Sequence, residues 1–259
     1  MSRFKDQNLV ITGAAAGLGA SIAGTFAVDG CNVFILDKTY PREVVGQLKD
    51  KGVRADGLQC DVRDEEQVVA GVRKAAEFYD GKIDILVNNA GFNGYYQLCR
   101  EADIEKWKDT FAINLFGTIL VTREAIPYLE KSEAGRICNL ASNVGKRGLP
   151  YRGDYVCTKW GMIGYTQTLA LELADKGIRV NAVCPGPIEG ERIEDVMNQH
   201  ARVEGLEGAE VRKIWEEAAP LKRFAKPDEV AKVIKFLCSE DSSAMTGQAL
   251  NVTCGFIMN

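Results

Sequence analysis

The chain of 259 residues has one histidine, His200. That scarcity excludes metal centres built from histidine clusters and argues against a Ser-His-Asp triad. Cysteine is plentiful, at eight residues, but no Cys-x-x-Cys pair occurs. Cys31, Cys60, Cys138, Cys184 and Cys254 fall in or beside expected strands, as reduced core residues do and a disulfide frame does not. No apolar run is long enough to span a bilayer. Met1 to Asn8 is polar and leads straight into a strand, so no signal peptide is expected and a cytoplasmic location is. A net charge of -4 argues against nucleic acid or an anionic membrane as partner. Internal repeats, low-complexity tracts and linkers are missing too. What remains is an ordinary composition, 46% hydrophobic and 26% charged, at a length that open α/β sheets often fill as one domain.

The first half alternates short apolar runs with helical patterns. Leu9 to Thr12 reads as a buried strand, followed by Gly13-Ala14-Ala15-Ala16-Gly17-Leu18-Gly19 and a helix to about Val28. Strand, glycine turn and helix in that order place a pyrophosphate at a helix N-terminus. The spacing is G-x-x-x-G-x-G rather than G-x-G-x-x-G, and without a ligand it is simply a tight turn. The next strand, Asn32 to Leu36, ends at Asp37. A carboxylate there accepts hydrogen bonds from adenosine ribose hydroxyls and repels a 2′-phosphate, which favours NAD over NADP. The adjacent Lys38 blurs that preference, and a solvated strand-end residue is the plain alternative. After a helix over 41–51, Val53 to Gln59 forms a strand ending at Cys60-Asp61-Val62. Asp61 either approaches the adenine amino group or caps the helix that begins near Asp64. That helix runs over Glu65 to Tyr79. The following strand, Ile83 to Val87, stops at Asn88-Asn89-Ala90-Gly91, whose small and amide side chains suit a ligand crevice. Asp103 to Lys131 reads as one long, bent helix. Within it Asn114 sits among apolar neighbours and needs partners, as a structural tie or as part of a water-linked proton path.

The strand Arg136 to Ala141 stops at Ser142, and a loop rich in glycine and basic residues leads to a helix opened by Asp154. On that helix Tyr155 and Lys159 are four residues apart and share a face. Bringing a phenol from about 10 to near 7 takes about 4 kcal/mol, which a partly desolvated lysine and a cationic cofactor can supply together. A surface pair on an amphipathic helix has the same spacing, so the context decides.

That context is Thr12-Gly13-x-x-x-Gly17-x-Gly19, Asn88-Asn89-Ala90-Gly91, Asn114, Ser142, Tyr155-x-x-x-Lys159 and Pro185-Gly186, in this order. Over nearly its whole length the sequence resembles the short-chain dehydrogenase/reductase family, in the subgroup whose members are about as long as this chain. The resemblance implies a Rossmann-type α/β fold: a doubly wound, mostly parallel sheet with helices on both faces. It implies Tyr155 as acid/base, Lys159 on the nicotinamide ribose, Ser142 on the substrate oxygen and Asn114 holding a water that links Lys159 to solvent. Cofactor contacts are expected from Gly13, Ala16, Gly17, Leu18, Gly19, Asp37, Asp61, Val62, Asn89, Ala90, Gly91, Tyr155, Lys159, Pro185, Gly186 and Ile188. The reaction expected is hydride transfer between NAD(H) and a secondary alcohol or ketone, without a metal. A homotetramer packed through the helices around Asn114 and Tyr155 is implied as well.

Past the strand Gly177 to Cys184 and the turn Pro185-Gly186-Pro187-Ile188, many relatives carry a threonine where this chain has Gly190. The segment 189–221 reads as a charged, helix-rich insertion, placed where relatives carry a substrate lid. Trp215 in it either covers a ligand or anchors the insertion, and His200 reads as a surface residue. A helix over Pro227 to Ser239 and a strand over Ala249 to Val252 follow. Thr253-Cys254-Gly255 then replaces a frequent Asp-Gly-Gly. Substrate-facing candidates are Asn93, Val144, Arg152 and Arg192. Lys146, Arg147 and Arg152 with Arg192 either bind an anionic group on the substrate, such as a hydroxy or keto acid, or are solvated and tie loops together. Polyols and sugars are equally open. Two rival functions remain. A 3-oxoacyl thioester reductase would use NADP, against which Asp37 argues. A dinucleotide-binding sensor without turnover would typically have lost the Tyr or the Lys.

Overall fold

The computed structural model describes residues 3–259, so the part of the polar start formed by Met1 and Ser2 lies outside it. The apolar runs of the sequence become β1 (Asn8–Thr12), β2 (Asn32–Asp37), β3 (Ala55–Gln59), β4 (Ile85–Asn88), β5 (Arg136–Leu140), β6 (Arg179–Pro185) and β7 (Ala249–Val252). They form one sheet in the order β3-β2-β1-β4-β5-β6-β7, and every pairing is parallel. A parallel sheet must be covered on both faces, and strand alternation divides the core accordingly. Leu9 and Ile11 of β1, with Val33 and Ile35 of β2, pack beneath α1 (Gly17–Ala27), α2 (Arg42–Lys49) and α9 (Pro227–Leu237). Val10, Phe34 and Leu36 point the other way, toward α3 (Glu65–Phe78), α5 (Gly117–Leu129) and α6 (Gly153–Glu172). All of these strand side chains are at most 1% exposed, which contributes roughly 1.5–3 kcal/mol per large aliphatic residue.

Strand order reverses between β1 and β4, so a crevice opens at the carboxyl ends there, the topological switch point of such sheets. The glycine turn, the Asn88-Asn89-Ala90-Gly91 segment and Ser142 all lie at those carboxyl ends.

The long helix expected over 103–131 is not continuous. It begins as α4 (Ile104–Phe111), capped by Asp103, whose carboxylate accepts from the amides of Glu105 and Lys106. It widens into a π turn over Ala112–Phe116 and resumes as α5. The bend therefore has a definite cause, and Asn114 sits inside it. The 189–221 segment holds α7 (Glu191–Glu204) and α8 (Gly208–Ala218), joined at Gly205 in the left-handed region at φ 69°. Met197, Ala201, Val211 and Phe224 form a small core of their own beneath this pair. No helix among the described residues is long and apolar enough to cross a membrane.

Candidate active site

The glycine turn is built from steric necessity at two points. A Cβ on Gly13, which lies at φ +66°, would stand 2.7 Å from Ala90 Cα, and one on Gly19 would stand 2.1 Å from the Gly13 carbonyl oxygen. Gly17 differs: its φ is +58°, but nothing lies within 4 Å of where a methyl would stand, so its outer side is open. α1 starts at Gly17 itself, preceded by Ala16, which gives no side-chain cap, and no acidic residue lies in its first turn. Helix-end amide groups left uncapped beside open space make a cradle that fits a pyrophosphate. Asn89 supports the turn from behind. Its side-chain amide donates to the Thr12 and Gly13 carbonyls at 3.1 and 2.6 Å, and Thr12 Oγ1 accepts from the amides of Asn89 and Ala90. At the end of β2, Asp37 accepts from Ala15 N through one oxygen and from Thr39 N through the other, both at 2.8 Å.

Asp61 is neither the helix cap nor a free carboxylate. Asp64 caps α3, accepting from Gln67 N, while Asp61 pairs with Arg63 at 2.6 Å and so keeps its carboxyl below its ordinary pKa. Val62 packs on Gly117, where a Cβ would meet it at 2.7 Å. Leu18 packs on the core below. Gly186 N donates to Val252 O at 3.0 Å, and Ile188 bridges to Ala225.

Across the crevice, α6 brings the Tyr155 ring and the Lys159 ammonium together, with Nζ 5.6 Å from the ring centroid. Lys159 is 4% exposed and donates to Leu140 O at 2.5 Å. Burial depresses its pKa, partly offset by Tyr155. For the phenol, burial alone would raise the pKa. Lys159, Arg192 and Arg152, with the Ser142 side chain, outweigh it and bring Tyr155 below its ordinary value. Ser142 itself is 7% exposed, and its Oγ accepts from Val144 N at 3.3 Å and donates to Asn143 Oδ1 at 3.1 Å. Val144 is buried at 3% exposure beneath it.

Asn114, at 0% exposure, holds the backbone of Phe92 as a pincer. Its Oδ1 accepts from Phe92 N at 2.6 Å, and its Nδ2 donates to Phe92 O at 2.9 Å and to Thr158 Oγ1 at 3.2 Å. The side chain thus acts as a structural tie, one of the two roles expected of Asn114. A Cβ on Gly91 would lie 3.3 Å from Asn114 Oδ1, so the 91–93 loop is seated tightly on this turn.

The basic loop does not act as a unit. Lys146 donates to the carbonyls of Ala249 and Asn259, and Arg147 lies 4.6 Å over the Phe256 ring, so both tie down the C-terminal segment. Arg152 alone turns inward, 5.1 Å over the Tyr155 ring, and donates to Asn93 O. Arg192, at the start of α7, donates through Nε to Asn93 Oδ1 at 2.6 Å. A recess of about 690 Å³ lies away from this site, at the amino ends of the central strands, between Asn8, Asn32, Arg54 and Lys82. It contains neither the phenol nor the lysine of α6.

Residues 13–257 match a family model described as enoyl-(acyl carrier protein) reductase. The chain belongs to the short-chain dehydrogenase/reductase family. Among short-chain dehydrogenases/reductases it is 37% identical to the 3-oxoacyl-[acyl-carrier-protein] reductase FabG of Thermotoga maritima, covering 99% of this chain and 100% of that one. It is 36% identical to the FabG of Aquifex aeolicus, over 95% of each chain. The actinorhodin polyketide ketoreductase solved with NADPH superposes with a TM-score of 0.91 at 35% identity, over 97% of both chains. NAD+-bound xylitol dehydrogenase superposes equally well, at 0.91, with 30% identity over 96% of this chain and 98% of that one. The protein is an oxidoreductase of this family acting on keto or hydroxyl groups.

Two site residues escape the sequence reading. Asp154, 1% exposed, accepts from Tyr95 N, Thr110 Oγ1 and Tyr155 N at 2.9, 2.7 and 2.7 Å, joining the 92–96 loop, α4 and α6. His200 is half-buried rather than a surface residue. It hydrogen-bonds Tyr96 and sits 5.5 Å from Trp215, so the aromatic cluster ties α7 and α8 to the 92–96 loop. Trp215 itself packs on the small core under α7 and α8, the anchoring role of the two expected. An acidic N-terminal residue and a lone histidine mark neither role in sequence.

Proposed function

We propose that the protein interconverts a secondary alcohol and a ketone with NAD(H), using Tyr155 as acid/base. The observation that carries this reading is the placement of Lys159 Nζ 5.6 Å and Arg152 5.1 Å from the Tyr155 ring centroid, cations that favour the phenolate against the effect of burial. In reduction Tyr155 gives its proton to the carbonyl oxygen, which Ser142 orients by a hydrogen bond. In oxidation Tyr155 as phenolate takes the hydroxyl proton. When bound, NAD(H) supplies or takes up the hydride. Lys159 holds the nicotinamide ribose and keeps the phenolate accessible. Proton exchange with solvent would run through water held at the main chain of the π turn, since the Asn114 side chain is engaged with Phe92 and Thr158.

Gly13, Ala16, Gly17, Leu18 and Gly19 would cradle the pyrophosphate. The side chain of Asn89 would act behind the turn, while Ala90, Gly91, Pro185, Gly186 and Ile188 frame the nicotinamide end. Asp37, with its carboxylate against Ala15 N, supports NAD over NADP, because a 2′-phosphate would meet a negative charge there. Asp61, paired with Arg63, and Val62, packed on Gly117, would border the adenine. We read residues 1–259 as one oxidoreductase domain, with α7 and α8 as its substrate lid. Phe116 and Trp160, 55% and 52% exposed on α5's approach and on α6, support a homotetramer in which another copy covers them. A cytoplasmic location belongs to the same reading, since all eight thiols are free.

The test follows NADH absorbance with NAD and NADP across polyols, sugars, hydroxy acids and their ketones. NAD-linked turnover, abolished in Tyr155→Phe while NADH binding persists, is the expected result. Turnover with NADP alone would overturn the cofactor assignment. The full-length match to 3-oxoacyl-[acyl-carrier-protein] reductases favours a second reading, reduction of a thioester-bound ketone, and acetoacetyl-coenzyme A with NADPH as substrate checks it.

A further inference from the structure

Arg152 is a buried cation without a counterion. It is 4% exposed, its Nε has no hydrogen-bond partner, and its one bond goes to a neutral acceptor, the Asn93 carbonyl. The nearest carboxylate in sequence, Asp154, forms no ion pair with it and accepts instead from Tyr95, Thr110 and Tyr155. Buried guanidinium groups are ordinarily paired, because an isolated charge loses its hydration without return. Arg192 is exposed and equally unpaired, held only by Asn93 Oδ1 through Nε, which leaves both terminal nitrogens free. The carboxylates that could neutralise it are drawn elsewhere: Arg212 gathers Glu189, Glu194 and Glu216 at 2.7 to 2.9 Å. Glu191 and Asp195, exposed on α7, form no ion pair with either arginine among the described residues. The main-chain and side-chain oxygens of one residue, Asn93, thus hold two guanidinium groups on the same loop: Arg152 on the fixed body, over the Tyr155 ring, and Arg192 on α7.

We infer that Arg152 and Arg192 form an anion-binding subsite beside Tyr155, so that the substrate is a small ketone or alcohol carrying its own carboxylate, sulfonate or phosphate. The inference rests on the reductase reading above and adds the substrate class to it. Arg152 stacks over the Tyr155 ring itself, so the acid group must lie only a few bonds from the reacting carbon. A carrier-bound thioester does not meet that condition, since its phosphate is separated from the carbonyl by a whole pantetheine arm. The subsite also makes binding and chemistry communicate. An anion between the arginines cancels charge that favours the phenolate, so the Tyr155 pKa rises when the acid binds.

The experiment compares NADH-linked reduction of acetoacetate and of its neutral isostere acetoacetamide, in the wild type, Arg192→Gln, Arg152→Met and Arg152→Lys. The wild type should prefer the acid. The ratio of kcat/KM for acid over amide should fall about 10- to 100-fold in Arg192→Gln and Arg152→Met, chiefly through KM, with partial rescue in Arg152→Lys. In the wild type the pH limb of kcat should lie above that of kcat/KM for the acid and not for the amide. An unchanged ratio in Arg192→Gln, whose exposed side chain the fold does not require, overturns the inference. So does a wild type indifferent to the charge. Calorimetric titration of malonate separates this from the reductase reading. Binding that weakens at least 10-fold in Arg192→Gln supports the subsite even where neither ketone is reduced, whereas no binding, or equal binding to both proteins, refutes it whatever the turnover.

Discussion

Replacing Asp154 by asparagine changes almost no volume, yet it should weaken the site's frame more than any exposed substitution. The carboxylate has two oxygens and three donors: Tyr95 N and Thr110 Oγ1 on one, Tyr155 N on the other. An asparagine keeps one oxygen. Whichever way the amide turns, its NH2 faces a backbone N–H that is already a donor, at a site 1% exposed. Hydrogen bonds to a charged acceptor contribute about 1.5–3 kcal/mol, and a stranded buried donor costs about 1–3 kcal/mol. The two descriptions overlap, so the net loss is about 2–3 kcal/mol. For a chain of this size that lowers Tm by roughly 5–10 °C. Calorimetry at neutral pH measures it, with Asp228→Asn as control, since Asp228 forms only an exposed i,i+4 pair with Lys232. Because Tyr95 N also seats the loop carrying Asn93, kcat/KM should fall below the loss expected from stability alone. Equal melting shifts in Asp154→Asn and Asp228→Asn would refute the reasoning.

Gly13→Ala and Gly17→Ala should separate two uses of left-handed glycine. The first places a methyl against the Ala90 backbone and should destabilise the fold. The second costs about 1 kcal/mol of backbone strain and should mainly raise KM for NAD, because its methyl enters the open side of the turn. Melting curves and cofactor titrations of the two variants check this. For pH, alcohol oxidation requires the phenolate, so its rate rises with pH through a Tyr155 pKa that lies below the ordinary 10. Ketone reduction requires the phenol and falls over the same range. Removing the positive charge in Arg192→Gln should move both limbs to higher pH, and coincident pH profiles for the two proteins would count against its proximity to Tyr155.

The strands and the Tyr155–Lys159 pair were legible because each is a local pattern. Leu9 to Thr12 and Asn32 to Leu36 carry their apolar residues without interruption, and Tyr155 and Lys159 need only one helix to meet. What local patterns could not carry was the choice among partners distant in sequence. Lys146, Arg147 and Arg152 look alike within one loop, but the first two meet the C-terminal segment, more than 100 residues on, and only the third meets the site. Asp61 lies two residues from Arg63, but Arg63 is fixed between it and Asp109, 46 residues further on, so their pairing is set by the tertiary fold as well. Asn114 showed the need for partners but not their identity, since Phe92 and Thr158 reach it through the tertiary fold.

The π turn at Ala112–Phe116 has a consequence for anyone who compares or rebuilds this helix. One residue more per turn than a regular α-helix is an insertion absorbed without a loop. Everything after it is rotated by about 100° relative to an uninterrupted helix. The face that α5 turns toward α3 is therefore set by a count, not by a side chain. Deleting a single residue from the turn would leave a smoother helix and every downstream contact out of phase. Asn114 is in that sense a register mark: substituting it removes a tie, while shifting it by one position would rewrite the packing of half a layer.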